Sequence, residues 1–144
     1  MKRMPVVKTF MTAFPHHIDI EAPVAEATAL MRRVKVRHLP VTDNGDLKGL
    51  VTDRDIKLML GPDFAYPRAD ELKVRDVLAP DSYVVDLNTP LDTVLEHMAT
   101  HRIGSAVVTR KGKLAGVFTS TDACRAFANF LTERFRAPRD DDAA

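Results

Sequence analysis

The sequence predicts an α+β fold built from two copies of one β-α-β-β-α unit. Three observations carry this prediction. The segment from Val7 to Leu58 aligns without a gap on Val74 to Arg125, an offset of 67 residues over 52 positions. Eleven of these positions are identical, among them Pro23/Pro90, Gly45/Gly112, Gly49/Gly116, Thr52/Thr119 and Asp55/Asp122. In both copies the apolar pattern changes between strand-like and helix-like in the same order. Shared turn and helix-start residues, as well as shared apolar ones, mark a tandem duplication.

Each copy opens with a short apolar-basic segment, VVKTFMT in the first and VRDVLAP in the second. A brief β stretch follows, at 17–20 and at 83–87. Pro23 or Pro90 then stands in the first turn of a helix, where the missing proline N–H would have had no partner anyway. Asn88 or Thr89 is a candidate cap for the second of these helices. Apolar Ala27, Leu30, Met31 and Val34, and in the second copy Leu91, Val94, Leu95 and Met98, recur at three- and four-residue spacing, so each helix has one apolar side.

Strands at 39–43 and 47–51 flank Asn44-Gly45, a pair that accepts the positive φ angles of a tight hairpin. The second copy repeats this with 106–109, Lys111-Gly112 and 114–118. Asp53 or Ser120 opens the next helix. The last helix runs from Thr121 to Phe135, with Ala123, Phe127, Phe130 and Leu131 along one side. Two prolines and mixed charge between Gly61 and Leu72 read as a linker. The expected organisation is a first repeat over 1–60, a linker over 61–72, a second repeat over 73–135, and a charged, disordered tail over 136–144.

At 144 residues, 45% apolar and 28% charged, the chain has the length and balance of a single soluble domain with a sizeable core. A net charge of +1 gives no bulk electrostatic reason to bind nucleic acid or a membrane surface. No apolar run approaches the roughly 20 residues of a membrane span, and the start MKRMPVVKTF lacks the apolar core of a signal peptide. A cytoplasmic location is expected. The single cysteine, Cys124, excludes internal disulfides and a four-cysteine zinc site; its apolar helical setting predicts plain packing.

Catalytic and metal chemistry find little support. Asp53 and Asp55 lie two apart at a helix start, a poor arrangement for paired-carboxylate work. His97 and His101 share a helix face, but Met98 stands where a zinc protease needs its glutamate. No nucleophile-base pair, P-loop or GxGxxG is visible, so the expectation is no enzyme, no catalytic residue and no metal. Arg32, Arg33, Lys35 and Arg37 gather at a helix end, which reads as a solvated face; nucleic-acid binding through it is the weakest reading.

The stretches RHLPVTDNGDLKGLVTDRDI and IGSAVVTRKGKLAGVFTSTDA each carry strand, turn, strand and a Gly-apolar-x-Thr-x-x-Asp signature. Two signatures at fixed spacing, each behind the same proline-started helix, resemble the cystathionine-β-synthase (CBS) domain family, in the form of a tandem pair (a Bateman-type module). The resemblance implies pseudo-twofold symmetry, sheets in the middle and helices outside, and two clefts that take adenosine-containing ligands. AMP, ADP or ATP are the foremost candidates, with S-adenosylmethionine or NAD behind them. By the same resemblance one cleft would use Thr52, Arg54 and Asp55, with Arg37 or His38 near the phosphate and Tyr83, Val85 and Ile103 around the base. The other would use Thr119, Thr121 and Asp122, with His16, Ile18 and Val36 at the base. The second copy departs from the first in having Gly104-Ser105-Ala106-Val107 for Arg37-His38-Leu39-Pro40.

The residue types suit that role. A carboxylate offers two acceptors to the adjacent hydroxyls of a ribose. A threonine at a strand-to-helix junction sits beside free backbone N–H groups that favour anions, and Arg54 adds a fork of charged donors. Helix capping by Thr52 and Asp55 is the competing reading, and one residue can do both. Arg37 and Arg54 face only Gly104 and Thr121 as counterparts, so the first cleft is expected to prefer phosphate more strongly. The functional expectation is a regulatory module that signals to an effector in trans and forms a homodimer; the alternative is a dimerisation or docking module with degenerate clefts.

Overall fold

Two β-hairpins, one from each repeat, form the centre of the molecule. The computed structural model describes residues 2–61, 71–79 and 81–136. Most of the tail and most of the linker expected from the sequence therefore lie outside the described residues. A single 3-10 turn at Val7–Thr9 leads into β1 (Thr12–Ala13), β2 (Ile18–Asp19), α1 (Val24–Val34), β3 (His38–Asp43), β4 (Asp46–Thr52) and α2 (Asp53–Leu60). The second half comprises α3 (Val74–Val77), β5 (Val84–Asp86), α4 (Leu91–His101), β6 (Ser105–Arg110), β7 (Lys113–Thr119) and α5 (Ser120–Phe135). The strands run in the order β2-β3-β4-β7-β6-β5, with β1 added alongside β7.

The duplication is reproduced residue by residue. Ile18 pairs with Val41 and Val85 with Val108; His38 pairs with Thr52 and Ser105 with Thr119. Even the register shift after Val41 recurs after Val108. Asn44 and Gly45, and likewise Lys111 and Gly112, take positive φ as a tight hairpin turn requires. α1 and α4 both end on a left-handed residue, Lys35 and Arg102. β4 and β7 meet at Asp46 and Lys113, equivalent positions in the two repeats, and a 2.9 Å ion pair joins their side chains. The local symmetry axis therefore passes between two positions that have diverged to opposite charge.

Alternation along the hairpin strands explains their almost continuous burial. Leu39, Val41 and Val51 join the first core, and Ala106, Val108 and Phe118 the second. The alternate residues Pro40, Leu50, Val107 and Val117 are buried too, because the opposite face of each hairpin is also covered.

The leading segments exchange partners. Val7, Phe10 and Met11, which open the first repeat, pack into the core of the second. Leu72, at the end of the linker, and Val74, Val77 and Leu78, which open the second repeat, pack into the core of the first. Backbone bonds fix the exchange: Val7 N–H donates to the Thr89 carbonyl at 2.9 Å, and Val74 N–H to that of Ala22 at 2.8 Å. Each core is thus completed by residues from the other half of the chain.

Some expectations need correction. Pro23 and Pro90 are themselves the residues flanking the helix starts, with no side-chain cap bond, so Asn88 and Thr89 do not cap α4. Cys124 is exposed, because α5 contributes no buried residue. The same geometry leaves Phe127 62%, Phe130 52% and Phe135 69% exposed.

Candidate functional site

The signature threonine closes the last hairpin strand and caps the helix that follows. Thr52 has extended backbone, and its Oγ1 accepts the Asp55 N–H at 3.0 Å, satisfying one of the four donors a helix start leaves free. Thr119 does the same for Asp122 at 3.4 Å. There the carboxylate reciprocates: Asp122 Oδ2 accepts the Thr119 N–H at 2.9 Å and its hydroxyl at 3.2 Å, closing a capping box. Asp122 Oδ1 also accepts the Thr12 hydroxyl, at 3.4 Å. Both oxygens of Asp122 are occupied, whereas the Asp55 carboxylate has no hydrogen bond among the described residues. The sequence signature is identical in the two repeats; the chemistry it presents is not.

His38 lies opposite Thr52 across the hairpin. Burial, reinforced by the Arg37 guanidinium, holds its imidazole below the ordinary 6.5, with Asp55 pulling the other way. Its Nε2 lies 3.8 Å from where a Cβ on Gly104 would stand, and Ser120 Oγ lies 3.5 Å from the same point. His38 of the first repeat therefore abuts the start of β6 and α5 in the second. An Arg37-like side chain at position 104 would begin in that space. The sequence does not flag Ser120 as a neighbour of His38, because the contact crosses between repeats.

Thr52, Asp55 and His38 are brought together, with Arg37 near enough to act on His38 by charge. Arg54 is exposed on α2 and Thr121 is exposed on α5. Val36 and Arg37, expected in different clefts, line one shallow cavity of about 240 Å³ with Asp53 and Lys57. Asp55 opens onto a separate cavity of about 360 Å³ beside Leu58, Met59, Leu78 and Ala79. A third, of about 420 Å³, lies between α1 and β2 and is lined by His17, Glu26, Leu30 and Arg33.

The residues expected around a base sit deeper than expected. Val85 and Ile18 are buried in the cores of their own repeats. Strand alternation turns Val84 and Asp86, or Asp19, outward instead. Ile103 and Tyr83 pack against the second core, and burial pushes the Tyr83 phenol up. The Tyr83 ring stacks on His97 at 3.9 Å, and His97 on His101 at 4.0 Å. This stack explains the His97/His101 pair by packing. His16 is exposed. Among the described residues no group of three metal-ligating side chains converges, and no helix is long and apolar enough to cross a membrane.

Comparison with known proteins agrees with this architecture. The CBS domain family model matches twice, over residues 7–61 and 74–129. The uncharacterized protein YlbB of Bacillus subtilis is 32% identical over 121 residues, covering 83% of this chain and 80% of that protein. The crystal structure of a putative acetoin utilization protein (AcuB) from Vibrio cholerae superposes with a TM-score of 0.80 at 28% identity, covering 95% of this chain and all of the other. That of CBSX2 in complex with AMP superposes with a TM-score of 0.73 at 26% identity, covering 87% and 97% of the two chains. A twofold match to the family model, each half on one symmetric repeat with its own threonine-capped signature, means that this chain belongs to the CBS domain family, as a tandem pair.

Proposed function

We propose that this chain is a regulatory module that binds an adenosine-containing nucleotide at the start of α2 and passes the binding event to an effector protein in trans. The observation that carries this reading is the group formed by Thr52, Asp55 and His38. A carboxylate free to accept two ribose hydroxyls stands one helical turn from a capped N-terminus, which favours anions. A half-buried imidazole beside Arg37 adds donors for phosphate. The AMP complex of the related CBSX2 supports the ligand class. AMP, ADP and ATP lead, S-adenosylmethionine and NAD follow, and no catalytic step is assigned to the chain. The module works in the cytoplasm.

Equilibrium binding of AMP, ADP, ATP, S-adenosylmethionine and NADH tests this directly. Saturable binding of at least one is expected, weakened tenfold or more by Asp55→Ala and by Thr52→Ala, about 1.4 kcal/mol. No binding of any of the five favours the second reading, a docking module with degenerate clefts, which the occupied Asp122 carboxylate supports.

Binding should also depend on pH through His38. Its pKa is lowered in the free protein, so protonation favours the unfolded chain, and this residue's contribution to stability falls as pH drops below its ordinary 6.5. A phosphate beside it reverses the preference, so nucleotide binding takes up a proton. Affinity is expected to rise between pH 8 and pH 6, and His38→Gln should flatten the profile. An unchanged slope in that variant removes His38 from the site.

The exposed phenylalanines of α5 support a homodimer. Phe127 and Phe130 stack with centroids 6.3 Å apart on a helix with no fully buried residue, and an apolar face of this kind is unusual on a monomer. Light scattering is expected to give twice the chain mass, and the double substitution Phe127→Ser, Phe130→Ser to give the monomer. A monomeric wild-type protein at micromolar concentration contradicts this.

A further inference from the structure

The two threonine-capped helix starts differ at a position outside the signature. The leading segment of each repeat passes over the signature glycine of the other, so Thr12 stands beside Asp122 where its equivalent, Ala79, stands on the Asp55 side. β1 pairs with β7 through Thr12–Val117 and Ala13–Gly116; among the described residues the equivalent contact in the other half is a bridge between Ala79 and Leu50. The Thr12 hydroxyl donates to Asp122 Oδ1, while Oδ2 is held by the backbone and hydroxyl of Thr119. Alanine at position 79 has no hydroxyl to offer. Asp55 instead borders the 360 Å³ cavity of which Ala79 is one wall.

We propose that Thr12 is a built-in plug: it occupies the acceptor oxygen of Asp122 that a ribose needs, and so makes the protein a one-site nucleotide binder. This inference rests on the nucleotide reading above and adds to it the stoichiometry and the residue that sets it. Donors compete for the carboxylate. A carboxylate already accepting three hydrogen bonds from its own chain gains little from a ligand hydroxyl, since the ligand must first displace an intramolecular donor. A carboxylate without such bonds exchanges only water. Charge acts in the same direction, because Arg37 and Arg54 have Gly104 and Thr121 as their counterparts in the second repeat.

The test is calorimetric titration of the full chain with AMP. Wild type is expected to bind one AMP per chain. Thr12→Ala recreates at the second cleft the residue found at the first, and is expected to raise the stoichiometry to two. Thr12 is exposed, so this variant should fold, and circular dichroism checks that it does. The double variant Thr12→Ala, Asp55→Asn should keep one AMP, now at the second cleft, whereas Asp55→Asn alone should bind none. Two equal sites in the wild type, or one site in a folded Thr12→Ala variant, overturn the plug and leave nucleotide binding standing. Absence of heat in all four proteins overturns nucleotide binding itself, and the plug with it.

Discussion

Val7→Asp is expected to unfold the whole protein, although residue 7 precedes both hairpins. Val7 is completely buried, yet every core residue it joins belongs to the second repeat. A carboxylate there would have no partner, and burying an unpaired ion costs several kcal/mol even after relaxation. That is a large part of the roughly 5–15 kcal/mol that holds a domain of this size together. Met4→Asp, three residues earlier and 52% exposed, should leave stability within about 0.5 kcal/mol of wild type. Because the leading segments are exchanged, neither core is complete without the other half of the chain. Urea denaturation should show one cooperative transition for the wild type, and in Val7→Asp the loss of both halves together. Two separate transitions, or a Val7→Asp protein with a native first repeat, would contradict the exchange.

Gly116→Ala is the second large effect. This glycine does not take a positive φ, so conformational freedom is not what it supplies. A Cβ at position 116 would lie 2.5 Å from Met11 Sδ and 2.8 Å from the Thr12 carbonyl oxygen, both far inside contact distance. The methionine tail can swing aside, but the carbonyl belongs to β1 and can move only with that strand. A loss of about 1–3 kcal/mol is expected, as for overpacked cores, or roughly 2–12 °C in Tm for a chain of this length. Met11→Ala should restore only part of it. At Gly49 the equivalent neighbour is the Ala79 carbonyl oxygen, at 3.1 Å, and φ is +150°, so crowding and strain act together there. Thermal unfolding of the alanine variants measures both costs; an unchanged Tm for Gly116→Ala would mean that the leading segment is not held against β7.

These two glycines show what the sequence made legible and what it hid. The recurrence of eleven residues at an offset of 67, these two among them, was enough to establish the repeat and the order of its elements. The reason for them was not readable, because the atom that crowds Gly116 comes from a segment 104 positions away along the chain. The identity of Val7 and Val74 likewise marks two buried positions without saying which core each enters. Local periodicity reports which side of a strand or helix is apolar, and here each leading segment buries its apolar side in the opposite repeat.

The site was legible to the same depth. Thr52 and Asp55, and Thr119 and Asp122, stand where the signature put them, at the threonine-capped starts of α2 and α5. Their inequivalence was visible in the sequence as differences at positions 37, 54 and 12, beside that of His38 against Ser105. The first two changes remove positive charge. The third, Thr12 against Ala79, carries no motif and gains meaning only from the hydrogen bond to Asp122. For Ile18 and Val85 a one-residue parity decides whether a strand side chain faces the core or the outside, and both face the core.

We propose the group at the start of α2 as the holder of the nucleotide. A crystal structure of the chain grown with saturating AMP tests it most directly. The ribose hydroxyls are expected on the Asp55 carboxylate, the phosphate beside His38 and Arg37, and the Asp122 carboxylate still bonded to Thr12 and Thr119. AMP bound instead in the groove between α1 and β2, against His17, Glu26 and Arg33, or no bound AMP at all, would contradict it.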